Sequence, residues 1–147
     1  MYRWLYIFLF STFAFFSFTA FAATDQPNNE EVSIGKPGDP SKVARTINLT
    51  LLDNMFLPPE ITVREGETIQ FVLKNLGSNT HHFLIGTADV LRKVASSNRK
   101  NEQLIRLNPS EEKELIWEFN KAGTVNFACP IKTHFKTMHG KITVEND

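Results

Sequence analysis

All four histidines of this 147-residue chain and its single cysteine fall in two short segments. The first is Asn79-Thr80-His81-His82-Phe83. The second runs from Cys129 through His134, Met138 and His139 to Gly140. Thiolate, imidazole and thioether together make a soft, mixed nitrogen and sulfur donor set. Thiolate and thioether favour Cu(I), while imidazole accepts both oxidation states, so the set suits copper cycling between Cu(I) and Cu(II). The spacing Cys129-x4-His134-x3-Met138, with a further histidine well upstream, points to a mononuclear copper site.

Each candidate has a plainer reading. A free cysteine is often a small buried hydrophobe, but an unpaired one is unusual in an exported chain. Five residues before His134, metal ligation explains Cys129 better. His81 and His82 compete for one position, because successive strand side chains point to opposite faces. His81 shares its face with Phe83 and Ile85 and is the expected ligand; His82 then lies beside the site or at the surface. Met138 would otherwise fill a core gap, yet four residues after His134 it fits a weak axial ligand. His139 is expected to face solvent, as an alternative ligand or an entry-site residue.

These residues need a scaffold. Cys129 is expected to end one strand and Gly140 to open the next, so His134 and Met138 lie on the loop between them. Alternating runs at Thr46–Leu51, Thr68–Leu73 and Leu115–Phe119 read as strands. So do Ile61–Val63, His81–Ile85, Leu104–Leu107, Thr124–Cys129 and Gly140–Glu145. Turn signals fall at Pro58-Pro59, Glu65-Gly66, Asn108-Pro109 and Ala122-Gly123. Ala88–Ser97 has helical spacing, with Thr87 as its N-cap. Seven or so short strands and one inserted helix predict an all-β, two-sheet sandwich.

The N-terminus is organised differently. Arg3 precedes a long apolar run that ends at Ala20-Phe21-Ala22-Ala23, which reads as a cleaved secretory signal peptide over residues 1–23. The mature chain is then exported, with no stable membrane insertion. It keeps about 125 residues, enough for one domain with a real core. Residues 24–42 lack apolar periodicity and read as a flexible lead-in, leaving 43–147 as the domain. Lys and Arg total 16 against 16 Asp and Glu, without strong clustering, so there is no electrostatic footprint for nucleic acid.

The segment Cys129-x4-His134-x3-Met138-x-Gly140 resembles the C-terminal copper loop of cupredoxins, with the loop length of the azurin group. Other stretches resemble exported, plastocyanin/azurin-like copper-resistance cupredoxins of bacteria. These are Gly38–Val43, Leu52-Asp53-Asn54-Met55, Val63–Thr68, His81–Ala88 and Ala122–Val125. The resemblance implies a Greek-key β-sandwich or barrel and one copper per chain, with His81, Cys129, His134 and Met138 as ligands. Three departures stand out. Ala95–Gln103 has none of the Met and His found after the helix in relatives, His82 stands where an Asn or an acid is usual, and Pro130 offers no N–H near the thiolate.

The expected function is that of a periplasmic, non-enzymatic cupredoxin with a type 1-like site. It would act in single-electron transfer, in copper resistance, or in both, with a redox partner or a copper donor or acceptor protein. One alternative is a copper chaperone or storage protein with the same ligands and no redox partner. Another is a catalytic copper site in which water replaces Met138.

Overall fold

The structure, a computed structural model, describes residues 34–97 and 101–146. The expected signal peptide lies outside the described residues. Among the described residues, ten strands and one α-helix follow in chain order. They are β1 (Lys36–Pro37), β2 (Val43–Leu52), β3 (Met55–Leu57), β4 (Glu60–Arg64), β5 (Thr68–Asn75), β6 (His81–Gly86), α1 (Ala88–Ser97), β7 (Ile105–Leu107), β8 (Glu112–Glu118), β9 (Gly123–Ala128) and β10 (His139–Glu145). One sheet has the order β1-β8-β5-β2-β3 and the other β4-β10-β9-β6-β7.

The alternating runs become half-buried strands, as a period of two requires. In β4, Ile61 and Val63 are buried and Glu60, Thr62 and Arg64 exposed. In β5, Ile69, Phe71 and Leu73 point inward, and Trp117 and Phe119 meet them from β8 and its end. Five phenylalanines fill the space between the sheets. The Phe56 ring stands edge-on to Phe127 at 5.1 Å and to Phe83 at 5.9 Å, a favoured aromatic arrangement. His81 and Cys129 belong to this same buried layer.

α1 covers the outer side of β6 and β9. The Thr87 hydroxyl accepts the Val90 N–H at 3.3 Å, the expected cap. Leu91 packs on Leu84 and Ala128 in a small second cluster, and Val94, Leu104 and Phe135 lean against it. The inserted helix thereby adjoins the loop that carries His134.

The ordered domain begins earlier than Val43, the boundary expected from composition. Lys36 and Pro37 pair with Glu118 and Trp117 of β8, and the Gly38 N–H donates to Ile116 O at 3.0 Å. Gly35 lets the chain cross Trp117, because a Cβ there would collide with the indole nitrogen. A two-residue strand has no period to detect; it exists because β8 offers an unpaired edge.

Candidate metal centre

Cys129 follows the last residue of β9, and its N–H donates to Met138 O at 3.0 Å. That bond continues the β9–β10 ladder one step past the Ala128–His139 pair and closes the loop at its base. Inside the loop the chain winds helically. The N–H groups of His134 and Phe135 both donate to Ile131 O, at 2.8 and 2.9 Å. Those of Thr137 and Met138 donate to His134 O, at 3.0 and 2.9 Å. Residues four apart on such a turn lie on one side, which is the structural meaning of the x3 spacing between His134 and Met138. Met138 is fully buried and packs in the core cluster that contains Cys129.

His81 opens β6, whose strand pairs with β9 on one side and β7 on the other. Its ring is fully buried and lies 5.0 Å from the His134 ring, centroid to centroid. Cys129 Sγ is 3.7 Å from His134 Nδ1. One donor atom each from His81, Cys129 and His134 lie within 4.8 Å of one another. Among the described residues no other cluster of three or more His, Cys, Asp or Glu side chains is grouped in this way. His81, and not His82, is the histidine brought to Cys129 and His134: Phe83 and Ile85 share its buried face, and His82 is half-exposed.

The electrostatics favour the neutral forms of His134 and His82 and a protonated thiol. Burial, then the nearby His81, lowers the His134 pKa from its ordinary 6.5. His82 is lowered too, by burial, Arg106, His134 and His81. Burial pushes the Cys129 thiol up from 9.0, and hydrogen bonds from the His82 and Ile131 backbones oppose that shift. The His82 N–H donates to Sγ at 3.3 Å. Pro130 therefore does not leave the sulfur without backbone donors, because residues on either side of it in space supply them.

His82 takes part through its main chain, while its side chain lines a cleft with Val94, Leu104, Pro130 and Ile131. His139 is exposed at the start of β10 and lies outside the donor cluster.

Three neighbouring residues escaped the sequence reading. The Asp53 Oδ1 atom lies 3.1 Å from His81 Nε2 and accepts the Asn79 N–H at 3.0 Å. Those bonds, with one from the Ser78 backbone, hold its carboxyl at about 2, below an ordinary 3.8. Asn75, fully buried, donates through Nδ2 to Asn79 O at 2.8 Å and Leu107 O at 3.2 Å, and accepts the Gly77 N–H at 2.9 Å. It thereby shapes the 76–80 loop from within, as Asx turns do. Gly77 passes so close that a Cβ would collide with Asp53 Oδ1 and stand 3.0 Å from His81 Nε2. Of these, only Asp53 lay in a segment that carried the family resemblance, and nothing local marked it as a partner of His81.

The other nitrogen of His81, Nδ1, is buried with no hydrogen-bond partner. Buried polar atoms of this kind are rare and call for an explanation such as an ion. With a thiol and a second neutral imidazole beside it, the donor set fits copper in the His/His/Cys arrangement with a weak thioether near.

Comparison with known proteins agrees. The Cupredoxin-like domain family matches residues 6–144. The copper-resistant cuproprotein CopI of Rubrivivax gelatinosus is 36% identical over 126 residues, covering 80% of this chain and 76% of its own. The CopI protein of Pseudomonas aeruginosa is 28% identical over 150 residues, covering 77% and 83%. Reduced auracyanin from the photosynthetic bacterium Roseiflexus castenholzii has the same fold. Its TM-score is 0.60 at 24% identity, over 70% of this chain and 98% of that one. His81, Cys129 and His134, with Met138 nearby, form a type 1-like site. The two-sheet architecture, that site and the match over nearly the whole sequence converge, and the chain belongs to the cupredoxin-like domain family.

Proposed function

We propose that this chain is an exported, non-enzymatic copper protein that holds one copper ion through His81, Cys129, His134 and Met138. It would act in copper resistance and exchange single electrons with a partner protein. One observation carries the reading: three soft donors converge within 4.8 Å, and the buried Nδ1 of His81 has no protein partner. Bound copper would supply a one-electron couple. The chain's own part is to present the donors with little freedom. Cys129 is anchored by the Met138 carbonyl and by backbone donors to its sulfur, and His81 by the strand core. Ligation requires Cys129 to release its proton, so metal uptake is coupled to proton loss.

Resistance is supported by the relatives, which are named for it. Electron exchange is supported by His134, which is partly exposed beside Ile131 and Phe135 and offers a partner the least-covered ligand edge. No helix among the described residues is long and apolar enough to cross a membrane. The apolar N-terminal run, read as an export signal, supports delivery to the periplasm.

The test is to add Cu(II) to the purified metal-free domain and record visible and EPR spectra. An intense thiolate charge-transfer band at one copper per chain is expected, and Cys129→Ser should abolish it. A variant that keeps its colour refutes the ligand assignment. Uptake of Cu(I) alone, without colour, would favour storage or chaperoning instead.

A further inference from the structure

Asp53 sits in the turn between β2 and β3, 28 positions from His81 in sequence. Its Oδ1 atom takes the Asn79 N–H and faces His81 Nε2. An ionised carboxylate accepts hydrogen bonds and donates none. The ring nitrogen opposite it must therefore carry the hydrogen. An imidazole that ligates a metal is neutral and has only one such hydrogen, so the lone pair lies on Nδ1. That is the atom left buried and unpartnered. Asp53 thus selects which nitrogen of His81 can bind a metal.

The arrangement does more than close a loop. Backbone donors from Ser78 and Asn79 already engage the carboxylate as a turn-stabilising group, and its contact with His81 is additional to them. Gly77 leaves the space through which the carboxylate reaches the ring, since any side chain there would strike Oδ1. Asp53 is also partly exposed, with 42% of its side chain accessible, so a full negative charge is tolerated beside a buried ring. A carboxylate that accepts the outer N–H of a ligating imidazole orients the ring and raises its basicity. The more basic ligand favours the more highly charged ion.

We propose that Asp53 is a positioning residue for the metal centre: it fixes His81 as the Nε2–H tautomer, presents Nδ1 to copper, and biases the site toward Cu(II) over Cu(I). This rests on the copper reading given above, but the tautomer does not require metal to be observed.

The experiment compares wild type, Asp53→Asn and Asp53→Ala, with Asp39→Asn as a control. Asp39 also accepts a backbone N–H, from Ser41 in the Pro40–Lys42 turn. Nitrogen NMR of the metal-free proteins reads the His81 tautomer. Chelator competition reads the Cu(II) and Cu(I) affinities separately. Wild type should show the Nε2–H form. Asp53→Ala should mix the tautomers and lose about 10–100-fold in Cu(II) affinity, with a smaller loss for Cu(I). Asp53→Asn keeps the shape and an acceptor oxygen, so it should keep the tautomer while its Cu(II)/Cu(I) affinity ratio falls. Asp39→Asn should match wild type. An Nδ1–H tautomer in wild type overturns the proposal. So does an unchanged affinity ratio in both Asp53 variants, even if their melting temperatures fall, because that pattern is a loop staple and nothing more. A wild type that takes up no copper would sink the copper reading, and the tautomer result would then decide the role of Asp53 alone.

Discussion

His81 and His134 bring the same ring to one centre from two kinds of backbone. His81 stands on a strand between two neighbours, fully buried, with its outer nitrogen against a carboxylate and its position fixed by long-range contacts. His134 stands on a short helical loop, partly exposed, and its place is set by bonds to residues within five positions of it. The first is part of the core and the second is part of the surface. A site built this way keeps its geometry through one imidazole and leaves the other at the surface.

The comparison breaks most sharply when each ring is removed. His81→Ala should weaken copper binding and also destabilise the metal-free fold by about 1–3 kcal/mol, as buried substitutions do. His134→Ala should weaken binding as much while changing the metal-free stability by no more than about 0.5 kcal/mol. Urea unfolding of both variants checks this, and equal losses would erase the distinction. Added imidazole should restore colour to His134→Gly and fail with His81→Gly.

A methyl group at Gly77 attacks the strand-borne half alone. Gly77→Ala should push Asp53 off His81 and cost about 1–3 kcal/mol, the range for overpacking. Copper affinity should fall with it, and a variant as stable as wild type would mean the 76–80 loop yields easily.

Acid sharpens the same contrast. The Asp53 carboxyl is lowered from 3.8 to about 2 in the folded protein, so it binds its proton more readily when unfolded. Its stabilising effect is complete above the ordinary value and is lost as pH falls through that interval. Melting curves of the metal-free protein across it should slope less steeply for Asp53→Asn than for wild type. Parallel slopes would show that the carboxylate's partners do not favour its charge.

The smallest effect belongs to His82. Its bond to Cys129 uses the main-chain N–H, which any residue but proline supplies. His82→Asn should keep the charge-transfer band and change stability by about 0.5 kcal/mol or less; loss of the band would give the side chain a role the geometry does not.

Much of this was legible in the sequence because it is periodic or local. Alternation chose His81 over His82, helical spacing and Thr87 gave α1 its observed bounds, and the x4 and x3 intervals picked out His134 and Met138 on the loop after Cys129. What stayed hidden depends on contacts between distant segments. Asp53 carries no local sign of its tie to His81, which forms only when the end of β2 and the start of β6 are brought together. Asn75 reads as the first residue of a loop, although it is buried and bonds to Leu107, 32 residues away. The pair Lys36–Pro37 has no pattern of its own and borrows its structure from β8.

The position of β10 has a consequence for how such a chain is made. It lies between β4 and β9, parallel to the first and antiparallel to the second, with Lys141 opposite Glu60. β4 therefore has no neighbour in its sheet until residues 139–145 have been synthesised. Pairings this distant in sequence close late and slowly. A polypeptide that cannot close its second sheet until β10 is in place keeps β4 without its sheet neighbour through most of its synthesis.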